Sequence, residues 1–258
     1  MSEEQGWVVV TGAASGIGLA VAEKVQQRGH SVVLVDLDGE GLSLAARRFA
    51  SDSSTTIAQV VGDVGDPATM ENAVAQVPAA HRLVGWVNSA GVNVPGSVAD
   101  TDVSRLRHGM RANFEGTFWG SKAAAGRMLE QGGGGSIVNM TSTAALVGYP
   151  GNAVYAAAKG AVISLTKQVA AEYAEHKIRC NAVAPGVIDT PMNQSILEGN
   201  PEREALLERW LRLSPLGRLG RPEEVAAMTV FLLGADGAFT TGQTFVVDGG
   251  QLAIGRLS

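Results

Sequence analysis

Cysteine, basic clusters and long apolar runs are scarce in this sequence, and each absence excludes a class of protein. Cys180 is the single cysteine among 258 residues, so no disulfide can form within the chain, and a reducing, cytoplasmic location is expected. The 20 basic residues form no cluster and are outnumbered by 25 acidic ones, which argues against a nucleic-acid partner. No apolar run approaches the ~18 residues of a membrane span, so no membrane association is expected. The acidic start, MSEEQG, is typical of neither a secretory signal nor a transit peptide.

Charged residues and metal-ligand patterns are also sparse. The charged fraction of 17% is too low for a disordered chain, whereas a hydrophobic fraction of 45% can fill a large core. The four histidines are scattered without the spacing of metal ligands, so no metal site is predicted. Glycine, in contrast, is abundant at 33 residues, which indicates many close approaches of the backbone.

Short apolar runs alternate with helical patterns along the chain. Strands are predicted at 7–10, 32–35, 57–61, 83–87, 137–140, 178–183 and 244–247, and helices at 17–28, 42–50, 68–77, 103–130, 153–176 and 223–233. Most strand segments are continuously apolar, as is typical of strands that are covered on both faces. This alternation predicts the α/β class: a single domain, residues 1–258, in which a doubly wound, seven-stranded parallel sheet carries helices on both faces.

The first predicted strand leads into the glycine-rich segment TGAASGIG, residues 11–18, which includes Ser15 and Ile17. Gly12 permits a tight turn, Gly16 lets the backbone approach a pyrophosphate, and Gly18 allows the helix to pack closely on the strand. The N-terminus of the following helix offers backbone N–H groups to phosphates. A strand before the motif and a helix after it predict a dinucleotide-binding Rossmann fold.

The end of the second strand indicates which dinucleotide is bound. Asp36 stands 18 residues after Gly18, where a carboxylate can accept hydrogen bonds from the hydroxyls of the adenosine ribose. The same carboxylate would repel a 2′-phosphate, and positions 14, 15, 37 and 38 carry no basic residue. NAD is therefore predicted in preference to NADP.

A candidate acid/base pair begins the helix predicted at 153–176. Tyr155 and Lys159 are four residues apart and therefore share one helix face. An ammonium beside a phenol stabilises the phenolate, so Lys159 is expected to lower the pKa of Tyr155 from about 10 and make it an acid/base near neutral pH. Ser142 follows the fifth predicted strand, at the edge where doubly wound sheets bind their ligands.

In this order, the motifs of the chain resemble those of the short-chain dehydrogenase/reductase family, in its NAD-preferring branch of similar chain length. They are TGAASGIG at 11–18, Asp63-Val64, NSAG at 88–91, Asn113, Ser142, Tyr155-x-x-x-Lys159 and PGVIDT at 185–190. The family's usual Asn-Asn-Ala-Gly reads Asn88-Ser89-Ala90-Gly91 here. Because Ser89 keeps a small polar side chain, we expect a minor structural change there rather than a loss of cofactor binding.

The resemblance implies a role for each matching residue. Ser142 would bind the substrate oxygen, Tyr155 would exchange the proton, Lys159 would lower the pKa of Tyr155 and hold the nicotinamide ribose, and Asn113 would anchor a water of the proton relay. The implied cofactor contacts are Asp63 and Val64 beside the adenine, Asn88, Ala90 and Gly91 along the cleft, and Pro185, Gly186, Ile188 and Thr190 at the nicotinamide end.

The segment at 190–214 is expected to cover the substrate. Asn200 and Pro201 are interpreted as the N-cap and first residue of a helix. Arg209 and Arg212 lie near its end, where they either complement the helix dipole, the favoured interpretation, or clamp an acidic substrate; the role of Arg203 stays open. Family geometry also places mainly apolar residues near the substrate, which favours a substrate with a hydrocarbon part: Val94, Ala144, Leu146, Tyr149 and Met192.

These observations predict an NAD(H)-dependent oxidoreductase that interconverts a secondary alcohol and a ketone. One alternative is a 3-oxoacyl-thioester (acyl carrier protein) reductase, which usually prefers NADPH and is therefore disfavoured by Asp36. A second is a non-catalytic NAD-binding regulator, and a third is a related lyase such as a dehalogenase. The resemblance also implies a homotetramer or homodimer in which the helices predicted at 103–130 and 153–176 pair between copies.

Overall fold

The computed structural model describes residues 6–49 and 55–253. The predicted domain limits at 1–5 and 254–258, and Ala50 at the predicted end of the second helix, lie outside these described residues. Within the described ranges, no helix is both long enough and apolar enough to cross a membrane.

Seven parallel strands form one sheet in the order β3-β2-β1-β4-β5-β6-β7, which confirms the predicted fold class. The strands are β1 (Trp7–Thr11), β2 (Ser31–Asp36), β3 (Ile57–Val61), β4 (Leu83–Asn88), β5 (Gly135–Met140), β6 (Ile178–Pro185) and β7 (Thr244–Val247). Successive side chains of β1 point to opposite faces of the sheet. Val8 and Val10 pack on one face and Val9 packs on the other. Both faces are therefore buried, which explains why the strand reads as one apolar run.

Helices cover both faces of the sheet. They are α1 (Gly16–Gln27), α2 (Gly39–Arg48), α3 (Pro67–Ala75), α4 (Val103–Met110), α5 (Gly116–Gln131), α6 (Ala153–Tyr173), α7 (Pro191–Glu198), α8 (Arg203–Leu213) and α9 (Pro222–Leu233). Side chains of α1, α2 and α9 form the core on one face, and those of α3, α5 and α6 form the core on the other.

Two helix predictions need correction. The predicted helix at 103–130 is interrupted by a π turn, Arg111–Glu115, which separates α4 from α5. The helix expected to begin at Asn200 and Pro201 begins at Arg203 instead. Asn200 Oδ1 accepts a hydrogen bond from the Glu202 N–H at 2.8 Å, so these residues form a turn in front of the helix.

The strand order reverses between β1 and β4, and a cleft opens beyond the carboxyl ends of these strands. Thr11 Oγ1 connects the loops that follow them, because it accepts hydrogen bonds from the N–H groups of Ser89 and Ala90 at 3.1 and 3.2 Å. The cofactor residues predicted after β1 and those predicted after β4 are thereby brought to the same place.

Candidate active site

A cavity of about 870 Å³ lies at this edge of the sheet and gathers residues from almost the whole length of the chain. Seventeen of the nineteen predicted site residues line it: Gly12, Ser15, Gly16, Ile17, Gly18, Asp36, Asp63, Val64, Ala90, Gly91, Ser142, Tyr155, Lys159, Pro185, Gly186, Ile188 and Thr190. Asn88 and Asn113 lie behind the cavity wall instead, where each is almost fully buried. Among the described residues, no group of three or more His, Cys, Asp or Glu side chains is placed to hold a metal ion.

The glycine-rich turn has the backbone geometry that a phosphate cradle needs. Gly12 and Gly16 have φ angles of +69° and +54°, which side-chain-bearing residues rarely adopt. A Cβ at Gly12 would lie 2.8 Å from the backbone of Ala90, and a Cβ at Gly18 would overlap the Gly12 carbonyl. The first residues of α1, Gly16 to Gly18, line the cavity, and the Ser15 side chain does not cap the helix, so its positive end is open to the cavity. The turn therefore fits the pyrophosphate of a dinucleotide.

Asp36 is held at the cavity by two backbone amides. Its Oδ2 accepts a hydrogen bond from the Ala14 N–H at 3.0 Å, and its Oδ1 accepts one from the Asp38 N–H at 3.1 Å. A carboxylate has further lone pairs, so the hydroxyls of a ribose can still donate to it. The neighbouring Leu37 also lines the cavity and is 72% exposed. An accepting carboxylate beside an apolar side chain fits an unphosphorylated ribose.

Asp63 is held by a partner that the sequence pattern did not predict. Arg111, in the π turn, places its Nε 2.9 Å from Asp63 Oδ2, and the Gly65 N–H donates to Oδ1 at 2.8 Å. Burial opposes ionisation of Asp63, but the bond from Gly65 and the Arg111 guanidinium together lower its pKa below the ordinary value. No local signal could have identified Arg111, because it stands 48 residues from Asp63.

Tyr155 and Ser142, which were predicted to exchange the proton and to bind the substrate oxygen, both line the cavity. Burial raises the pKa of Tyr155 above its ordinary value, and the interaction of its phenol with the Ser142 hydroxyl partly opposes this rise. The pair is therefore placed to hold one oxygen atom and to exchange a proton with it.

The expectation that the pKa of Tyr155 lies below its ordinary value because of Lys159 was wrong, since the pKa is raised. The Lys159 Nζ donates a hydrogen bond to the Met140 carbonyl at 2.9 Å and lies 5.8 Å from the centre of the Tyr155 ring. Burial of Tyr155 is the larger effect, so its pKa rises. Burial also lowers the pKa of Lys159 itself to about 8.

Asn113 supports the cavity wall from the π turn. Its Nδ2 donates to the carbonyls of Val92 and Gly109, each at 3.0 Å, and its Oδ1 accepts from the Val92 N–H at 3.1 Å. The side-chain amide is thus occupied in fixing the segment that follows Gly91. π turns in helices are frequent at functional sites.

Asn88 has a similar supporting position. Its Oδ1 accepts a hydrogen bond from the Trp86 indole at 2.8 Å, and its Nδ2 donates to Asn139 Oδ1 at 2.8 Å and to Ser121 Oγ at 3.2 Å. These bonds join β4, β5 and α5 beneath the cavity. Asn88 therefore fixes the strand end from which Ser89, Ala90 and Gly91 extend.

Only some of the residues predicted to lie near the substrate line the cavity. Ala144, Tyr149 and Met192 line the cavity, whereas Val94 is buried behind its wall and Leu146 is half exposed. Helix α8 contributes four further lining residues: Leu206, Arg209, Trp210 and Leu213.

Several other lining residues come from outside the predicted set, among them Gln251 and His108. Gln251, near the end of the described chain, lines the cavity and donates a hydrogen bond from its Nε2 to the Tyr149 hydroxyl. His108 of α4, to which the sequence pattern assigned no role, lines the cavity as well. No local pattern could have revealed the Tyr149–Gln251 contact, because 102 residues separate the partners.

The chain is similar in sequence and in structure to several known dehydrogenases. The family model described as Enoyl-(Acyl carrier protein) reductase matches residues 12–251. The chain is 42% identical to 2-(S)-hydroxypropyl-CoM dehydrogenase 3 of Xanthobacter autotrophicus, over 96% of each chain. It is also 43% identical to a protein of the same organism named inactive 2-(S)-hydroxypropyl-CoM dehydrogenase 2, over 91% of this chain and 100% of the other. The ligand-free aldohexose dehydrogenase of Thermoplasma acidophilum has a similar structure, with a TM-score of 0.86, 30% identity, and coverage of 99% and 97%.

Proposed function

The chain belongs to the short-chain dehydrogenase/reductase family, and from this premise we propose that it is an NAD(H)-dependent dehydrogenase that interconverts a secondary alcohol and a ketone. Membership in this family makes it an oxidoreductase of CH–OH donors that uses a nicotinamide nucleotide. The choice of NAD, the acid/base role of Tyr155 and the site residues are parts of the proposal.

The observation that carries the proposal is that Ser142 and Tyr155 both line the cavity and that the Ser142 hydroxyl interacts with the Tyr155 phenol. During oxidation, Ser142 holds the substrate hydroxyl while the ionised Tyr155 accepts its proton. During reduction, the neutral Tyr155 donates the proton to the carbonyl oxygen. Acceptance and return of the hydride at the carbinol carbon is the chemistry that the nicotinamide supplies when it is bound.

Lys159 and Asn113 support this proton exchange. Below a pH of about 8 the buried Lys159 carries a positive charge, which would favour a phenolate at Tyr155 without outweighing the effect of burial on the pKa of Tyr155. Lys159 would also hold the ribose next to the nicotinamide. Asn113 keeps the segment at Val92 in place through its three hydrogen bonds, and anchoring of a relay water in this region remains part of the proposal.

The cofactor residues divide between the two ends of the cavity. Gly12, Gly16 and Gly18 would hold the pyrophosphate, and Asp36 the adenosine ribose. Asp63 and Val64 would flank the adenine, and the segment from Pro185 to Thr190 would hold the nicotinamide. A ribose 2′-phosphate would be repelled by the Asp36 carboxylate, which supports NAD over NADP.

Helices α7 and α8 lie within the segment at 190–214 and would cover the substrate. Both contribute to the cavity, α7 through Met192 and α8 through Trp210. The alternative of a 3-oxoacyl-thioester reductase is less well supported, because such enzymes usually prefer NADPH. A non-catalytic NAD-binding role would leave Ser142, Tyr155 and Lys159 free to vary, yet this chain retains all three.

The test is NADH formation from NAD with a panel of secondary alcohols: hydroxysteroids, hydroxyacyl thioesters, hydroxy acids, polyols and cyclic diols. We expect turnover of one class, a preference for NAD over NADP, and loss of about three or more orders of magnitude in kcat for Tyr155→Phe because the proton acceptor is removed. Tyr173→Phe, at the far end of α6, is the matched control and should retain activity.

Two results would contradict parts of the proposal. Full activity of the Tyr155→Phe variant would exclude Tyr155 as the acid/base. A preference for NADP would exclude the interpretation of Asp36. Binding of NADH without turnover of any alcohol in the panel would favour the non-catalytic role.

A further inference from the structure

One face of α8 meets the cavity with a single charged side chain. Leu206, Arg209, Trp210 and Leu213 follow one another at spacings of three, one and three residues, which places them on the same helix face. All four line the cavity. This helix face therefore presents three apolar side chains and one guanidinium to the cavity.

Arg209 is an exposed residue that lines the cavity, and its charge has no internal partner among the described residues. Among the described residues it forms no hydrogen bond or ion pair, and the acidic residues that line the cavity are Asp36 and Asp63. Asp63 already pairs with Arg111, and Asp36 lies at the end assigned to the adenosine. The part of the cavity beneath α8 consequently contains a cation without a matching carboxylate.

The neighbouring Arg212 differs from Arg209 in each of these respects. It occupies the last turn of α8, where a cation stabilises the negative end of the helix dipole. Its Nη1 lies 3.3 Å from the Glu208 carboxylate, and it does not line the cavity. The helix-dipole interpretation of the two arginines therefore suits Arg212 and does not account for the position of Arg209 at the cavity.

We propose that Arg209 binds an anionic group of the substrate, so that the enzyme acts on secondary alcohols and ketones that carry a carboxylate, sulfonate or phosphate. A guanidinium binds each of these groups through paired, charge-assisted hydrogen bonds. The apolar neighbours Leu206, Trp210 and Leu213 would contact a hydrocarbon spacer between the acid group and the carbinol carbon. This inference rests on the proposed function and specifies its substrate class.

The test compares acids with neutral analogues of the same shape. Hydroxy carboxylates of graded chain length, each with the alcohol next to the terminal methyl group, are paired with their primary amides, and the corresponding hydroxyalkylsulfonates and phosphate esters form further arms. The wild-type enzyme should prefer the acids and show an optimum chain length, since Arg209 stands at a fixed position. Arg209→Gln should lower kcat/KM for the best acid about 10- to 100-fold, chiefly through KM, and leave the amides nearly unchanged.

Controls separate this role from others. Arg212→Gln should leave the preference for acids unchanged, and Arg209→Lys should restore part of it, because it returns the positive charge. Equal use of acids and amides would overturn the inference while leaving the proposed function intact. An equal rise in the KM for NAD with both substrates would show that Arg209 serves the cofactor, which would also overturn it.

A binding measurement keeps the inference testable even if no alcohol is turned over. Calorimetric titration of the NADH-loaded protein with the matching keto acids should give tighter binding than with the keto amides, and Arg209→Gln should remove the difference. Equal binding of keto acids and keto amides to the unmodified protein would overturn the inference. Turnover that persists in the Tyr155→Phe variant would instead count against the proposed acid/base and not against the anion site.

Discussion

Lys159 is a buried charge at the centre of the cavity, and its position costs stability. The side chain is 3% exposed, and its ammonium donates a hydrogen bond to a single backbone carbonyl, that of Met140. Removing an ammonium from water disfavours its charged form, which is why the pKa of Lys159 falls to about 8. A residue retained at such a cost is typical of a functional site.

This cost predicts a pH-dependent difference in stability between the unmodified protein and a Lys159→Met variant. Between pH 8 and the ordinary pKa of 10.5, the unfolded chain keeps the proton of Lys159 and the folded chain has lost it. Raising the pH through this window therefore favours folding, by at most about 3 kcal/mol. Below pH 8 the unmodified protein bears the full cost of burying the charge. The free energy of unfolding of Lys159→Met is therefore highest there relative to that of the unmodified protein.

Urea unfolding of both proteins between pH 7 and 10 measures this difference. The free energy of unfolding of the unmodified protein should rise relative to that of Lys159→Met by about 2 to 3 kcal/mol across the range. Lys167→Met, at an exposed position of the same helix, is the control and should give a constant difference. A constant difference for Lys159→Met as well would show that Lys159 keeps its ordinary pKa in the folded protein.

At the scale of single elements, the π turn of residues 111–115 has the most consequences for the site. It places Arg111 against Asp63 and turns Asn113 towards Val92 and Gly109. The Asn113 side chain is fully buried and pairs with both the N–H and the carbonyl of Val92. One short irregular segment therefore positions both the predicted adenine end of the cavity and the loop that follows Gly91.

Asn113→Ala should consequently destabilise the protein by about 2 to 5 kcal/mol, because it leaves buried backbone groups of Val92 and Gly109 without partners. Activity should fall as well, since the segment at Val92 loses its fixed position. Chemical unfolding with a parallel activity assay measures both effects. Asn72→Ala, at an exposed position of α3, should change the stability by no more than about 0.5 kcal/mol. A similarly small effect of Asn113→Ala would mean that its hydrogen bonds do not hold the loop.

The regular elements could be predicted from the sequence because their signals are local. The strands at 57–61 and 244–247 were predicted with the bounds that the structure has, since each is a short run rich in β-branched residues, which favour strands. The π turn could not be predicted, because it inserts a single residue into an otherwise continuous helical pattern. The start of α8 was misplaced for a related reason: Asn200 forms a side-chain turn instead of a helix cap.

The residues of the candidate site likewise separate into those with a local signal in the sequence and those without one. The glycines at 12, 16 and 18 could be assigned from their spacing, because the backbone angles they need are a local property. Arg111 and Gln251 could not, because their partners stand 48 and 102 residues away and meet them only in the folded chain. The pKa of Tyr155 was misjudged for a physical reason: the proximity of Lys159 could be deduced from the sequence, whereas the extent of burial could not.

At the scale of the whole molecule, an aromatic patch on α5 and the preceding π turn bears on assembly. Phe118 is 40% exposed; its ring centre lies 6.4 Å from that of Phe114 and 5.1 Å from that of Trp119. Apolar surface of this kind, exposed on a soluble domain, frequently marks a protein–protein interface. We therefore propose that a second copy of the chain covers this patch in a homodimer, and that two such pairs form a homotetramer.

The proposed assembly predicts that light scattering at micromolar concentration gives a mass two or four times that of one chain. Phe118→Glu should shift the species towards smaller assemblies, because it places a charge in the apolar contact and removes an aromatic ring that two neighbouring rings support. Leu44→Glu is the matched control: Leu44 is 62% exposed on α2, which contributes to the opposite face of the sheet. A monomeric unmodified protein would contradict the proposal outright. Dissociation caused by Leu44→Glu but not by Phe118→Glu would instead place the contact on the other side of the molecule.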